Sequence, residues 1–237
     1  MKHIPNFITS LNLVAGFFAA IATLNGNLNA AFWFIAAAMA FDFLDGLTSR
    51  LLNAYSGMGK ELDSLADLVS FGVVPGMIIY KLFERNLTGG VETTTNFELT
   101  KVILTIVAVL FPLCAGLRLA RFNTDPMQLV SFRGLPTPAA ALAIISIIPA
   151  MTRENGFVNS ITASNYAIAV YSLALSVLMV SRLPMLSLKT KNFKLAGNEP
   201  KYILAAVTLI LIILFGFSGT ALIIPAYIII SLIFPPA

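Results

Sequence analysis

Apolar residues fill the chain in long runs. They are broken by polar or turn-forming stretches such as Asn25-Gly26-Asn27, Arg153-Glu154-Asn155-Gly156 and Gly197-Asn198-Glu199-Pro200. A helix needs about 20 apolar residues to cross a bilayer. On that scale the runs predict eight transmembrane helices, at about 8–24, 30–52, 62–84, 101–120, 136–151, 162–181, 201–216 and 219–234. The expected fold is all-α, a polytopic transmembrane helical bundle. No linker is long enough to separate domains, and no internal repeat or low-complexity tract is visible. Residues 1–237 are expected to form a single integral-membrane domain.

Composition sharpens this picture. Hydrophobic residues make up 58% of the chain and charged residues only 11%, against roughly a quarter charged in a soluble domain. Lipid must therefore be the solvent, and a soluble class is excluded. The one cysteine, Cys114, lies in an apolar run and reads as a small buried hydrophobe; no internal disulfide or CxxC site can form. With His3 the one histidine, a metal site or general base must be built from carboxylates. Lys2, His3 and the following apolar stretch to Ala20-Ile21-Ala22 superficially resemble a signal peptide. Cleavage is not expected, because it would remove Asn6 and Thr9, which enter the site below. The sequon Asn86-Leu87-Thr88 is a weak match.

Lys and Arg set the expected orientation. With a cytoplasmic N-terminus, the cytoplasmic segments carry Lys2, Arg50, Lys60, Arg118, Arg121, Arg133, Arg182, Lys189, Lys191, Lys194 and Lys201. The opposite side carries Lys81, Arg85, Lys101 and Arg153, a bias of eleven to four. Both termini are expected in the cytoplasm. The basic stretch from Lys189 to Lys201 is expected against anionic headgroups, which makes the pI of 9.3 a membrane-surface signal and not a nucleic-acid one.

Five of the eleven acidic residues fall between positions 42 and 67, at the cytoplasmic ends of the second and third helices. Asp42 and Asp45 are spaced i,i+3, and Asp63 and Asp67 i,i+4, so each pair faces one way. The connection from Leu51 to Leu62 contains Gly57 and Gly59 and suits a tight hairpin that would bring four carboxylates together. Such a cluster repels itself strongly unless protons or cations neutralise it. An all-oxygen donor set selects hard ions such as Mg²⁺ or Mn²⁺, and two ions would suit phosphoryl chemistry. The bland alternative is helix-end carboxylates capping or pairing with Arg50 and Lys60.

Residues 42–67 read DFLDGLTSRLLNAYSGMGKELDSLAD. They resemble the signature D-x2-D-G-x2-A-R-x8-G-x3-D-x3-D of the CDP-alcohol phosphotransferase family. Asp42, Asp45, Gly46, Arg50, Gly59, Asp63 and Asp67 fall in register, and Ser49 departs, standing where the pattern usually has Ala. The resemblance implies a six-helix core followed here by two C-terminal helices. It implies that Asp42, Asp45, Asp63 and Asp67 are metal ligands, that Asp42 and Asp63 bridge two divalent cations, and that Asp67 is also the general base. Gly46 is implied to let the nucleotide approach its helix, and Arg50 and Ser56 to contact the diphosphate. Gly59 reads as a packing or turn glycine. IPNFITSLNLVAGF resembles the family's first helix, and from it Asn6 and Thr9 are implied to help hold CDP; read alone they are an ordinary helix start beside Pro5.

Three further strings resemble the phosphatidylserine synthase branch of that family: SLADLVSFGVVPG at 64–76, GLRLARFN at 116–123 and FRGLPTPAAA at 132–141. Arg118 and Arg121 are i,i+3 and are expected to face the site together, with Asn123 close by, where guanidinium groups can clamp a serine carboxylate or a lipid phosphate. Their alternative reading is headgroup anchoring. The resemblance covers about residues 4–141.

The expected activity is transfer of the phosphatidyl group of CDP-diacylglycerol to the hydroxyl of L-serine, giving phosphatidylserine and CMP. The resemblance implies direct attack assisted by two Mg²⁺ or Mn²⁺ ions, at the cytoplasmic face of the cell membrane. Expected partners are CDP-diacylglycerol, L-serine and membrane lipids, with no nucleic acid; homodimerisation is left open. One rival keeps the chemistry with glycerol 3-phosphate or inositol phosphate as acceptor. Another is a cation-binding membrane transporter, which would place its carboxylates near mid-membrane on interrupted helices.

Overall fold

The computed structural model describes residues 3–88, 97–124, 134–151, 162–186 and 198–234, and every regular element among them is helical. The helices are α1 (His3–Leu24), α2 (Leu28–Leu51), α3 (Gly57–Asp67), α4 (Val74–Thr88), α5 (Phe97–Thr124), α6 (Thr137–Ile145), α7 (Ile147–Met151), α8 (Asn165–Val180), α9 (Glu199–Phe215) and α10 (Thr220–Ile233). A π-helical segment, Leu68–Val73, joins α3 to α4 without a break, and a 3₁₀ turn, Gly216–Gly219, joins α9 to α10. Helix occupies each of the eight predicted positions. Among the described residues, four stretches are long and apolar enough to cross a membrane: His3–Leu24, Leu28–Leu51, Gly57–Thr88 and Glu98–Thr124. Thr137–Met151, Asn165–Val180 and Thr220–Ile233 are shorter apolar helices. The basic positions Lys2, Arg133, Lys189, Lys191 and Lys194, with Arg153, lie outside the described residues.

Helices α1 and α5 extend beyond the apolar runs that predicted them, and two other departures from the hydrophobic reading have a local cause. The third helix begins at Gly57 rather than near 62, because Ser56 caps it: its Oγ accepts from the Gly59 N–H at 3.0 Å. The first turns are polar, so apolarity alone hid them. The predicted helix 136–151 is divided at Ser146 into α6 and α7. Pro149 explains this: it supplies no N–H, and its ring crowds the carbonyl of residue 145.

The first two helices form a hairpin across Gly26, whose φ of +74° a glycine adopts without strain. The buried stripe of α1 runs Pro5, Thr9, Asn12, Gly16, Ala19 and Thr23, and that of α2 runs Ala31, Ile35, Ala38 and Asp45. Spacings of three and four put each set on one face. The small residues let the backbones approach closely, as helix pairs in lipid require. Toward the N-terminal end of α1 and the C-terminal end of α2 both stripes turn polar. Phe17 and Phe18 of α1, Trp33 of α2, Leu113 of α5 and Ile213 of α9 are exposed, the surface expected to meet acyl chains.

The core is built from Phe71, Ile78, Ile79, Leu82 and Phe83 of the 57–88 rod against Phe111 and Ala115 of α5 and Ile144 of α6. Gly134, at φ +77°, starts the approach to α6: its N–H donates to the Leu183 carbonyl at 2.9 Å, and the Leu135 N–H donates to the Leu178 carbonyl at 2.9 Å. These bonds tie the N-terminus of α6 to the end of α8.

Candidate active site

Where the polar ends of α1, α2 and α3 meet, Asp42, Asp63 and Asp67 each offer a carboxylate oxygen, all within 4.8 Å of one another. Asp42, half-buried, lies between Ala38 and Asp45 along the buried stripe of α2, and Asp63 and Asp67 lie one turn apart on α3. Asp67 is buried, and the Oδ1 of Asp63 is buried without a hydrogen-bond partner. Arg50 and Lys60 are exposed and make no salt bridge to the cluster; the Lys60 ammonium donates instead to the Asn123 carbonyl at 2.9 Å. The pairing alternative therefore has no support in the geometry. Three close carboxylates, one with an orphaned oxygen and none neutralised by a lysine, fit a hard divalent cation by donor chemistry.

Asp45 stands slightly apart from the other three. Its Oδ2 accepts from the Thr9 hydroxyl at 2.6 Å, a short bond of the kind charged acceptors make. The same hydroxyl lies 3.0 Å from the Pro5 carbonyl, the usual back-bond of a helical threonine. Beside Asp45 and Asp63 opens a cavity of about 200 Å³, lined by Asn6, Thr9, Gly46, Ser49 and Ser56. A Cβ built on Gly46 would meet only the Arg50 Nη2, at 3.6 Å, so that side of α2 is open and overhung by the guanidinium. A Cβ on Gly59 would come within 2.8 Å of Asn6 Oδ1 and 2.9 Å of Ser56 Oγ. Gly59 is a packing glycine, as expected. Ser49, the departure from the signature, turns its hydroxyl back to the Gly46 carbonyl at 3.4 Å and does not disturb the helix.

On the other side of the cluster the residues are tighter. Asn12 is fully buried, and its amide donates to Asp67 Oδ1 at 3.3 Å while its own Oδ1 has no partner. The Ser70 hydroxyl donates to the Asn12 carbonyl at 3.2 Å and fixes α1 against the π segment. Arg118 is 8% exposed, donates from Nη1 to the Thr137 hydroxyl at 2.9 Å, and sits 5.5 Å from the Phe122 ring centre. Its Nε is buried without a hydrogen-bond partner.

The expected acceptor trio is divided by the structure. Arg121 does not share the orientation of Arg118: it is exposed and donates to the Val180 carbonyl at 2.8 Å. Three residues turn a helix by about 300°, and the remaining offset is enough to aim the two guanidinium groups at different neighbours. Asn123 donates to the Ser64 hydroxyl at 2.8 Å and ties the end of α5 to α3. Sequence reasoning missed Asn12 and Thr137. Both are single polar residues in apolar surroundings, and nothing in their spacing announced them.

Comparison with known proteins points to one family. Residues 2–182 match the family model described as CDP-alcohol phosphatidyltransferase. The chain is 34% identical over 183 residues to the CDP-diacylglycerol–serine O-phosphatidyltransferase of Bacillus subtilis, covering 77% of this chain and 89% of that one. It is 33% identical over 197 residues to the protein of the same name from Mycobacterium leprae, covering 80% and 60%. Against the archaetidylserine synthase of Methanothermobacter thermautotrophicus it is 34% identical over 180 residues, covering 75% and 67%.

Proposed function

The chain belongs to the CDP-alcohol phosphatidyltransferase family, and from that premise we propose that it transfers the phosphatidyl group of CDP-diacylglycerol to L-serine. The observation that carries the proposal is the meeting of Asp42, Asp63 and Asp67 beside a cavity lined by Asn6, Thr9, Gly46 and Ser56. The relatives named for serine as acceptor support the choice of alcohol.

In this reading Asp42, Asp63 and Asp67 hold Mg²⁺ or Mn²⁺, with Asp45 beside them on Thr9; bound ions would neutralise the diphosphate and steady the leaving oxygen. Asn6, Thr9 and Ser56 contact the CDP moiety in the cavity, Gly46 leaves room for it, and Arg50 reaches the diphosphate. Asp67 takes the proton of the serine hydroxyl. The serine oxygen attacks the phosphorus that carries diacylglycerol, the bond from that phosphorus to the CMP oxygen breaks, and CMP leaves. Arg118, buried with an unpartnered Nε, meets the serine carboxylate. Arg121 and Asn123, turned to other partners, are structural on this reading. We place the site and both termini on the cytoplasmic side of the cell membrane, on the Lys and Arg bias of the sequence.

The deciding experiment is serine-dependent CMP release from CDP-diacylglycerol by purified protein, run beside glycerol 3-phosphate and inositol phosphate. Serine should be the acceptor used. Release with another alcohol and none with serine would overturn the acceptor while leaving the family chemistry intact.

A further inference from the structure

Asn12 is fully buried, yet its amide is only half satisfied. Its Nδ2 donates to Asp67 Oδ1 at 3.3 Å, while its Oδ1 has no hydrogen-bond partner among the described residues. Asp67 sets which way the amide points. Turned over, Asn12 would press its carbonyl oxygen against the carboxylate, and both would be acceptors. The backbone is held as well. The Ser70 hydroxyl donates to the Asn12 carbonyl at 3.2 Å, and a Cβ on Gly16, one turn further along α1, would collide with that same hydroxyl. Helix α1 therefore seats tightly on the π segment, with the orphaned oxygen fixed in the residue that holds Asp67.

A buried carbonyl oxygen without a donor is costly, and folded proteins keep few of them. If Asn12 served packing alone, a leucine would fill the space without that cost. An oxygen that can only accept, in a residue bonded to the general base, suits a donor that arrives with the substrate. In L-serine the ammonium nitrogen is three bonds from the hydroxyl oxygen, so a hydroxyl handed to Asp67 brings an ammonium toward Asn12. Arg118 is assigned the carboxylate of serine, and the ammonium has had no partner. Glycerol 3-phosphate and inositol phosphate carry no ammonium. A site whose own polar group needs a partner rejects an analogue that lacks it, because the group then stays buried and unpaired. The oxygen is shielded from solvent in this structure, so the side chains around it must part as the acceptor enters.

We propose that Asn12 is a specificity-determining residue for the acceptor: its free Oδ1 accepts a hydrogen bond from the primary ammonium of an amino alcohol whose hydroxyl lies at Asp67. The inference rests on the reading of serine as acceptor and Asp67 as base. It adds the group that tells an amino alcohol from other alcohols.

The test compares CMP release from CDP-diacylglycerol with L-serine and with 3-hydroxypropanoate, which is serine without its amine. Wild-type enzyme should favour serine about tenfold to a hundredfold in kcat/KM, the scale of one hydrogen bond to a charged group. In Asn12→Leu that preference should shrink to about threefold or less, because serine loses a partner that 3-hydroxypropanoate never had. Losing the hold on Asp67 slows both acceptors by one factor, so the ratio isolates the orphaned oxygen. Ser70→Ala is the control for position: it removes the bond to the Asn12 carbonyl, keeps both ends of the amide, and should slow the two acceptors alike. Equilibrium binding of a CDP-lipid shows that each variant is folded, and Asn12→Ala carries the same comparison if Asn12→Leu is not. An unchanged preference in the Asn12 variant, or wild-type enzyme that uses both acceptors equally, would sink the proposal and leave the serine reading standing. Wild-type enzyme that used another alcohol and not serine would defeat the serine reading, and this inference with it.

Discussion

Around Asp45 the cluster borders a cavity of about 200 Å³ whose Asn6, Gly46, Ser49 and Ser56 are all partly exposed. Around Asp67, Asn12 and Thr137 are fully buried and Arg118 nearly so. The two flanks share one set of carboxylates but obey different energetics. On the open flank water can replace a lost contact, so a substitution there removes one interaction and little else. On the closed flank a lost partner leaves a buried polar group unsatisfied, which costs about 1–3 kcal/mol. A bulky, charged nucleotide suits the first environment, and a small alcohol that must be stripped of water before attack suits the second.

Removing what both flanks share should have the largest effect. Chelation is expected to abolish CMP release, and Mg²⁺ or Mn²⁺ to restore it; Zn²⁺ should substitute poorly because the cluster offers no nitrogen or sulfur ligand. Full turnover in excess chelator would dissolve the comparison altogether, since neither flank would then act through bound ions.

Next come substitutions that separate the flanks at the carboxylates themselves. Asp67→Asn should lower the rate about a hundredfold to ten-thousandfold, the usual cost of a lost general base, while keeping part of the CDP-lipid binding. Asp63→Asn, beside the cavity, should lose metal and CDP-lipid binding together. Equilibrium binding of a CDP-lipid, measured beside CMP release, distinguishes the two. Equal loss of binding in both variants would remove the base assignment.

Asn12→Leu probes the closed flank alone. Asp67 loses its buried donor, and kcat with serine should fall about tenfold or more. The KM for CDP-diacylglycerol should stay within about twofold, because Asn12 does not line the cavity. A change confined to CDP-diacylglycerol would place Asn12 on the wrong flank. Rescue by Asn12→Gln would not be expected, since a longer amide has no room in a fully buried site.

The smallest effects belong to the open flank. Arg50→Lys keeps the charge and loses the fork, and should raise the KM for CDP-diacylglycerol with the KM for serine unmoved. Gly59→Ala would push against Asn6 and Ser56. Both are side-chain ends that can shift, so about a threefold rise in the same KM is expected. Movement of the serine KM in either variant would show that the flanks are coupled more tightly than their geometry suggests.

Much of this site was legible in the sequence because it is periodic. Asp42 and Asp45, then Asp63 and Asp67, carry their helical spacing openly, and charge in an apolar chain is conspicuous. Asn6 and Thr9 were found by resemblance, and the structure adds the reason Thr9 matters locally: it holds Asp45. What stayed hidden has no period. Asn12 and Thr137 are solitary polar groups whose partners lie 55 and 19 residues away in the chain. Their meaning comes from packing between helices, which a linear pattern does not encode. Arg121 failed for the opposite reason: its spacing from Arg118 was suggestive, but the carbonyl of Val180 claims it. The early start at Gly57 and the break at Ser146 were also legible in principle, from Ser56 as a cap and Pro149 as a breaker, though apolar run length alone overlooked both.

The π segment Leu68–Val73 begins at the residue after Asp67. A π turn accommodates one extra residue, so the rod above it is rotated by about 100° relative to an uninterrupted α-helix. Deleting one residue there would let the segment close to an ordinary α-helix with Val74–Thr88 still in phase, whereas inserting one more would cause a phase error along the whole of Val74–Thr88. Ile78, Ile79, Leu82 and Phe83, now buried, would swing toward the side and expose other faces to their neighbours, while Asp63 and Asp67 kept their places. The segment thus behaves as a gear between two halves of one rod, one phased to the chemistry and the other to the membrane. An insertion in this stretch should be tolerated far less well than a single deletion, because the π turn already carries the one surplus residue that a deletion would remove.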